Sequence, residues 1–354
     1  MFLPYKSLMN VTPEQITTIF LKHFPSEEIK AISEIQQSFV NPVYHVMLSN
    51  HEEFILKINN PCWPNKSLRE VIALSLVKEK TTIPTPELVA FDFIKEAVPW
   101  KYLIQKKVAG QELREAIRLG KMEYTTFLEI IQAIGRYLGE LHSISFNVFG
   151  DFSISSPRFS SQGASPGVFW GKQFDDWCSC FQAFCLDNLN WVDQSSFPNY
   201  RPALRKKIQE FSRAFPRTEK SCFVHSDLQP TNILVEDGKI AAIIDWEWSF
   251  AGSPSFDFTL TQAGIYYSAF PSISGSKMYD QFPSLSREQF NQALLAGYQS
   301  TNKFDLVPQP TELAEFIWLL FLIGSWDWCV QASSAETVKE LKQNVHELYQ
   351  KIIT

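Results

Sequence analysis

The segment that most restricts how this chain can fold is NILVEDGKIAAIID, residues 232–245. Two apolar runs flank Glu236-Asp237-Gly238-Lys239, a turn signal that predicts a β-hairpin. Such a hairpin brings Asn232, at the start of one arm, beside Asp245, at the end of the other. An amide oxygen and a carboxylate placed together are hard donors, the kind magnesium takes in ones or twos from protein while phosphates and water supply the rest. Asp227, in HSDLQPTN, lies on the loop just upstream. From there its carboxylate can face the same cleft and accept a proton from an attacking hydroxyl.

The rest of the pattern predicts two lobes, as a chain of 354 residues leads one to expect. TPEQITTIFLKHF, from Thr12, carries a helix start signal. KAISEIQQSF, PVYHVMLS and EEFILKIN read as strands of an antiparallel sheet. KSLREVIALSLVKEK, residues 66–80, suits a helix packed on that sheet, and ELVAFDFI and WKYLIQKKV add two strands. The first lobe is therefore expected over residues 1–108. The second, 109–354, reads as mostly helical, with a long amphipathic helix over 124–143 and further helical patterns near 172–189, 200–214, 287–302, 311–331 and 335–352. Gly150 to Gly167 reads as loop, and the strand signals of this part are FVHS, NILVED and KIAAIID. The fold class is α+β.

Charge and composition narrow the functions. Lys plus Arg number 32 against 38 Asp plus Glu, and the longest basic cluster is Arg205-Lys206-Lys207, so a nucleic-acid partner is not expected. The most apolar run, Ile317 to Gly324, is far shorter than the ~20 residues that span a bilayer, and the N-terminus lacks a signal-peptide pattern. A soluble, cytoplasmic protein is expected, monomer or homodimer. The six cysteines are scattered, as in a reduced compartment. Cys178, Cys180 and Cys185 lack zinc-site spacing and read as buried structural thiols.

HSDLQPTN followed by IIDWE resembles the catalytic loop and metal-binding segment of the aminoglycoside phosphotransferase and choline kinase-like family, small-molecule relatives of the protein kinases. The resemblance implies a bilobal protein-kinase-like fold and ATP-dependent phosphorylation of a small-molecule hydroxyl (aminoglycoside-, amino alcohol- or sugar-like). Asp227 would be the base, with Mg2+ on Asn232 and Asp245. It further implies that Lys57 contacts the nucleotide phosphates and pairs with Glu70. The Lys106 carbonyl and the Val108 amide would meet adenine, with Gln105 behind, and Asp257 would brace the catalytic loop. The phosphate-covering turn, QQSFVNPVYHV, has no glycine between Ser38 and Tyr44, so close amide approach to phosphate is harder there. Ser38 and Asn41 are the side-chain donors offered instead, and ATP or GTP both stay open as the nucleotide.

Beside Asp227, His225 reads as a structural hydrogen-bonding residue, and His142 as a packing or capping one. Trp248 and the Trp326-Asp327-Trp328 tract read as aromatic core near the substrate side. The rival to the enzyme is a catalytically silent nucleotide-binding or scaffold protein, to which the glycine-poor turn lends weight. No A-P-E type ending follows Asp245, which speaks against protein side chains as acceptors.

Overall fold

The computed structural model describes residues 9, 11–35, 41–61, 63, 65–156, 169–192, 196–215, 219–266, 282, 285–306, 311–326, 330 and 334–354. Ser38, Asp327 and Trp328 lie outside them.

Helix α1 (Pro13–His23) opens under a capping box in which Thr12 accepts from the Gln15 amide and the Gln15 side chain accepts from the Thr12 amide. Strands β1 (Ile29–Glu34), β2 (Val43–Leu48) and β3 (Glu53–Ile58) follow. Helix α2 (Lys66–Lys80) comes next, then β4 (Leu88–Asp92) and β5 (Tyr102–Lys106). These strands form an antiparallel sheet in the order β1-β2-β3-β5-β4. In β3, Phe54, Leu56 and Ile58 alternate into a core shared with Ile16, Ile19 and Phe20 of α1. That alternation sends Lys57 to the opposite face, toward α2.

After β5, the short strand β6 (Gln111–Glu112) leads into α3 (Leu113–Arg118) and α4 (Tyr124–His142). Strands β7 (Phe149–Gly150) and β8 (Gln173–Phe174) precede the helices α5 (Trp177–Asn190) and α6 (Tyr200–Ala214). Then come β9 (Cys222–Val224), the hairpin β10 (Ile233–Glu236) and β11 (Lys239–Ile243), β12 (Phe250–Gly252), and α7 (Pro254–Tyr266). Helices α8 (Arg287–Thr301), α9 (Thr311–Gly324) and α10 (Ala335–Ile353) complete the order. Two cores result. One joins α4, α8 and the hairpin to the inner side of α2, and the other joins α5, α6, α9 and α10.

The hairpin forms because Asp237 and Gly238 both take positive φ, 48° and 74°, as a tight two-residue turn demands. Its register sets Glu236 opposite Lys239 and Ile233 opposite Ile243. Helices α4 and α8 cross so closely that a Cβ on Gly135 would run into the Leu294 carbonyl, and one on Gly297 into the Gln132 carbonyl.

Three differences from the sequence pattern have physical causes. Helix α7 escapes periodicity because it is buried almost all round, its polar Ser255, Asp257, Thr259 and Thr261 included. The strands β7, β8 and β12 are two or three residues long, too short to show alternation. Residues 172–176 belong to β8 and a bend, so α5 begins at Trp177, where Asp176 caps it by accepting from the Ser179 amide.

Candidate active site

Lys57 and Glu70 meet across the gap between β3 and α2. Lys57 Nζ lies 2.6 Å from Glu70 Oε1 and 3.3 Å from Asp245 Oδ1. Gln105, buried in β5, donates Nε2 to the same Glu70 oxygen at 3.1 Å. Burial works against the Lys57 charge, but Glu70 and Asp245 outweigh it and its pKa lies well above the ordinary lysine value. Glu70 is pushed up by burial, which Lys57 only partly offsets. Asp245 is held below the usual carboxylate range: burial would raise it, and Lys57 and Lys66 overcome that.

Asn232 stands opposite Ile244, whose amide donates to the Asn232 carbonyl at 2.9 Å. The hairpin thus carries Asn232 to the neighbour of Asp245, as the spacing predicts. Asn232 donates Nδ2 to the Asp227 backbone oxygen at 2.7 Å and to Asp227 Oδ2 at 2.9 Å. Its side-chain oxygen is then its remaining polar atom. Gln229 Nε2 donates to the other Asp227 oxygen at 2.9 Å. Burial first, and the charge of Asp245 second, push the Asp227 carboxyl up to about 8.

The loop bearing Asp227 is held from behind by Asp257. Its Oδ1 accepts from the Ser226 amide at 2.8 Å and its Oδ2 from the His225 amide at 3.0 Å, with His142 Nε2 3.2 Å from Oδ2. His142 in turn meets the Tyr298 hydroxyl at 3.0 Å, so it is a link in this brace as well as the end of α4. Ser226 sits at φ 60°, a conformation that costs a non-glycine residue about 1–3 kcal/mol unless its surroundings hold it. Asp257 and the Ser226 hydroxyl, which donates to the Trp248 carbonyl at 2.9 Å, do so. His225 Nδ1 accepts from the Asp227 amide at 3.3 Å, and burial pushes its pKa down.

The other expected positions fall as follows. The end of β5 carries Lys106, whose amide donates to the Glu87 carbonyl at 2.9 Å. Val108 follows in the irregular link to β6. Asn41 is buried, and its amide donates to Glu247 Oε2 at 2.6 Å while its oxygen accepts from the Asn60 amide. Trp326 is buried in the helical core, and Cys180 and Cys185 lie there too, with burial pushing both thiols well above their ordinary value.

Sequence reasoning missed Lys66, Arg69 and Glu247. Lys66 is 0% exposed, with Nζ 2.7 Å from Glu247 Oε1 and 3.6 Å above the Trp248 ring. Arg69 donates Nε to the Glu247 carbonyl at 3.3 Å, pairs with Asp151 at 3.2 Å and stacks 3.9 Å from Trp170. A usable signal was the spacing: Lys66 is one helical turn before Glu70 and therefore shares its face.

The oxygen donors gathered here suit a hard divalent cation. One carboxylate oxygen each from Glu70, Asp245 and Glu247 lie within 4.8 Å of one another, but both Glu247 oxygens are already taken, by Lys66 and Asn41, so Glu70 and Asp245 are the carboxylates with oxygen to offer. Glu70 Oε2 is buried with no hydrogen-bond partner, and the Asn232 oxygen is on the neighbouring strand end.

An antiparallel sheet flanked by α1 and α2, a larger helical part, and a Lys-Glu pair facing an Asn-Asp pair across the junction define a kinase-like phosphotransferase. The phosphotransferase enzyme family, APH, matches residues 31–316, and the chain belongs to that family. Similar solved structures include the gentamicin complex of APH(2")-IIa, at TM-score 0.60 and 14% identity over 96% of this chain and 99% of that one. A thermostable mutant of APH(4)-Ia in a ternary complex with ADP and hygromycin B has TM-score 0.57 and 14% identity, covering 95% of this chain and 98% of that one. Macrolide 2'-phosphotransferase MphH from Brachybacterium faecium has TM-score 0.56 and 13% identity, covering 93% and 97%. Acyl-CoA dehydrogenase family member 10 of Mus musculus is 25% identical over 154 residues, 43% of this chain. The chain spans only 12% of that relative's length. Among the described residues no helix is long and apolar enough to cross a membrane.

Proposed function

We propose that this phosphotransferase moves the terminal phosphoryl group of ATP, or of GTP, to a hydroxyl of a small molecule, aminoglycoside-, amino alcohol- or sugar-like. Residues 1–108 act as the nucleotide lobe and 109–354 as the catalytic and substrate lobe. Lys57, oriented by Glu70, meets the α- and β-phosphates. The Lys106 carbonyl and Val108 amide meet adenine, Gln105 closes the back of that pocket, and Ser38 and Asn41 belong to the turn over the phosphates.

Asp227 orients the acceptor hydroxyl and takes its proton as the oxygen bonds to phosphorus; the bond from phosphorus to the bridging oxygen breaks, and the nucleoside diphosphate, ADP or GDP, departs with that electron pair. Asn232 and Asp245 would hold magnesium, which when bound neutralises charge on the phosphates. Asn232 also holds the Asp227 carboxylate through its amide, which leaves the base a fixed direction.

The observation that carries this reading is the Lys57 ammonium set between Glu70 and Asp245, with Asp227 tied to the Asn232 side chain one strand end away. The test is a panel of aminoglycosides, amino alcohols, sugars and nucleosides scored by substrate-dependent ADP release, with Asp227→Asn as control. The reading predicts release with at least one acceptor in the wild type and its collapse in the control. Equal release by both proteins would overturn it. The relatives' own ligands, gentamicin and hygromycin B, place aminoglycosides in the panel.

A further inference from the structure

We infer that Lys66 is a positioning residue for phosphoryl transfer: through Glu247 it locks the first turn of α2 onto the Asp245–Glu247 turn, so that the Lys57–Glu70 pair faces Asp245 before nucleotide arrives. This rests on the phosphotransferase reading above and goes beyond it, because neither Lys66 nor Glu247 touches the reacting atoms in that mechanism.

Two separate pieces of chain, α2 and the segment at Asn41, converge on Glu247. Lys66 of α2 holds Glu247 Oε1 at 2.7 Å, Asn41 at the end of the phosphate-covering turn holds Oε2 at 2.6 Å, and Arg69 of α2 reaches the Glu247 backbone oxygen at 3.3 Å. Glu247 is 4% exposed. Taking an ammonium and a carboxylate this far out of water is expensive, and well-packed apolar residues are often as stable in such places. What a buried ion pair does supply is a single geometry.

That geometry bears on the site from both ends. Asp245 lies two residues before Glu247 and sits at φ 64°, ψ 61°, so its direction depends on how the following turn is held. On α2, Lys66 lies one turn before Glu70 and Arg69 immediately before it, so holding both against the 245–247 turn restricts where Glu70 can sit. The Trp248 ring beneath Lys66 Nζ and the Trp170 ring beside Arg69 fill the remaining space. A site built this way is assembled at rest, without a separate event that swings the helix in.

The test uses the full chain and magnesium-ATP, with no acceptor needed. Thermal shift gives the apparent affinity at a series of magnesium concentrations, and hydrogen exchange follows the α2 amides. Lys66→Met is expected to weaken magnesium-ATP binding about tenfold or more and raise the half-saturating magnesium concentration. Exchange should quicken over 66–77 and stay unchanged in α4. Glu247→Gln should do the same, and the double variant should lose no more than the worse single one. Should Lys66→Met fail to fold, Glu247→Gln carries the test. Lys66→Arg, which keeps the charge, should recover part of the affinity, which a role in packing alone does not require. Wild-type affinity and magnesium dependence in folded Lys66→Met and Glu247→Gln would overturn the inference while leaving the phosphotransferase reading intact. A wild type that shows no magnesium-dependent nucleotide binding would sink both.

Discussion

Replacing Asp227 with Asn should make the protein more stable and far less active. The carboxyl is half-buried and pushed up to about 8 by burial and by Asp245. Each pH unit by which folding moves a pKa is worth about 1.4 kcal/mol, so keeping Asp227 ionised at pH 8 and above costs folding on the order of 5 kcal/mol as a ceiling. Asn removes that cost. It also forfeits acceptance from one of the two amides that now donate to the carboxylate, from Asn232 and Gln229, at about 1–3 kcal/mol. These terms leave a net gain of at most roughly 2–4 kcal/mol. With an unfolding entropy of about 2.1 cal/mol/K per residue, that is a Tm increase of at most about 3–5 °C.

Because the folded pKa is raised, the stability contributed by the bound proton is complete below the ordinary aspartate pKa and is lost as pH climbs toward about 8. The advantage of Asn should therefore vanish near pH 4 and be largest at pH 8 and above. Paired thermal melts across that range, without magnesium or nucleotide, measure it. Turnover in the same variant should fall about 10²–10⁴-fold, the usual contribution of a positioned base. A variant less stable than wild type at pH 8, or one equally active, would refute the reasoning.

Other outcomes follow from the same geometry. Asp245→Ala should abolish magnesium-dependent nucleotide binding in calorimetry while leaving the Lys57–Glu70 pair in place. Asp257→Ala strips the buried acceptor from the His225 and Ser226 amides, and at about 1–3 kcal/mol for each amide left unpaired should cost roughly 2–5 kcal/mol in denaturant unfolding. Gly297→Ala puts a methyl group into the Gln132 carbonyl; the loss should reach about 2–4 kcal/mol despite alanine's helix preference of about 1 kcal/mol, and an unchanged Tm would mean the α4–α8 crossing gives way.

Local chemistry made part of this legible beforehand. The hairpin could be read because Asp237-Gly238 suits positive φ, and it alone brings Asn232 to Asp245. Lys57 and Glu70 could be paired because β3 alternates and α2 follows directly. Asp257 could be placed by resemblance, although its hydrogen bonds to the 225–226 amides depend on where α7 begins. The Lys66–Glu247 pair was hidden because its members are 181 positions apart and a lysine in an amphipathic helix ordinarily reads as solvated. The place of Asn41 in a turn suggests a phosphate donor; its engagement with Glu247 needs the third dimension. Helix α7 carries no period because nearly every side of it is covered.

The most direct measurement is transfer itself. Isotopically labelled ATP and magnesium, incubated with the protein and a small-molecule hydroxyl mixture, should deliver the terminal phosphoryl group onto an acceptor for wild type, with transfer collapsing for Asp227→Asn and Asp245→Ala. Labelled acceptor produced equally by all three proteins, or by none while wild type still binds magnesium-ATP, would contradict the account.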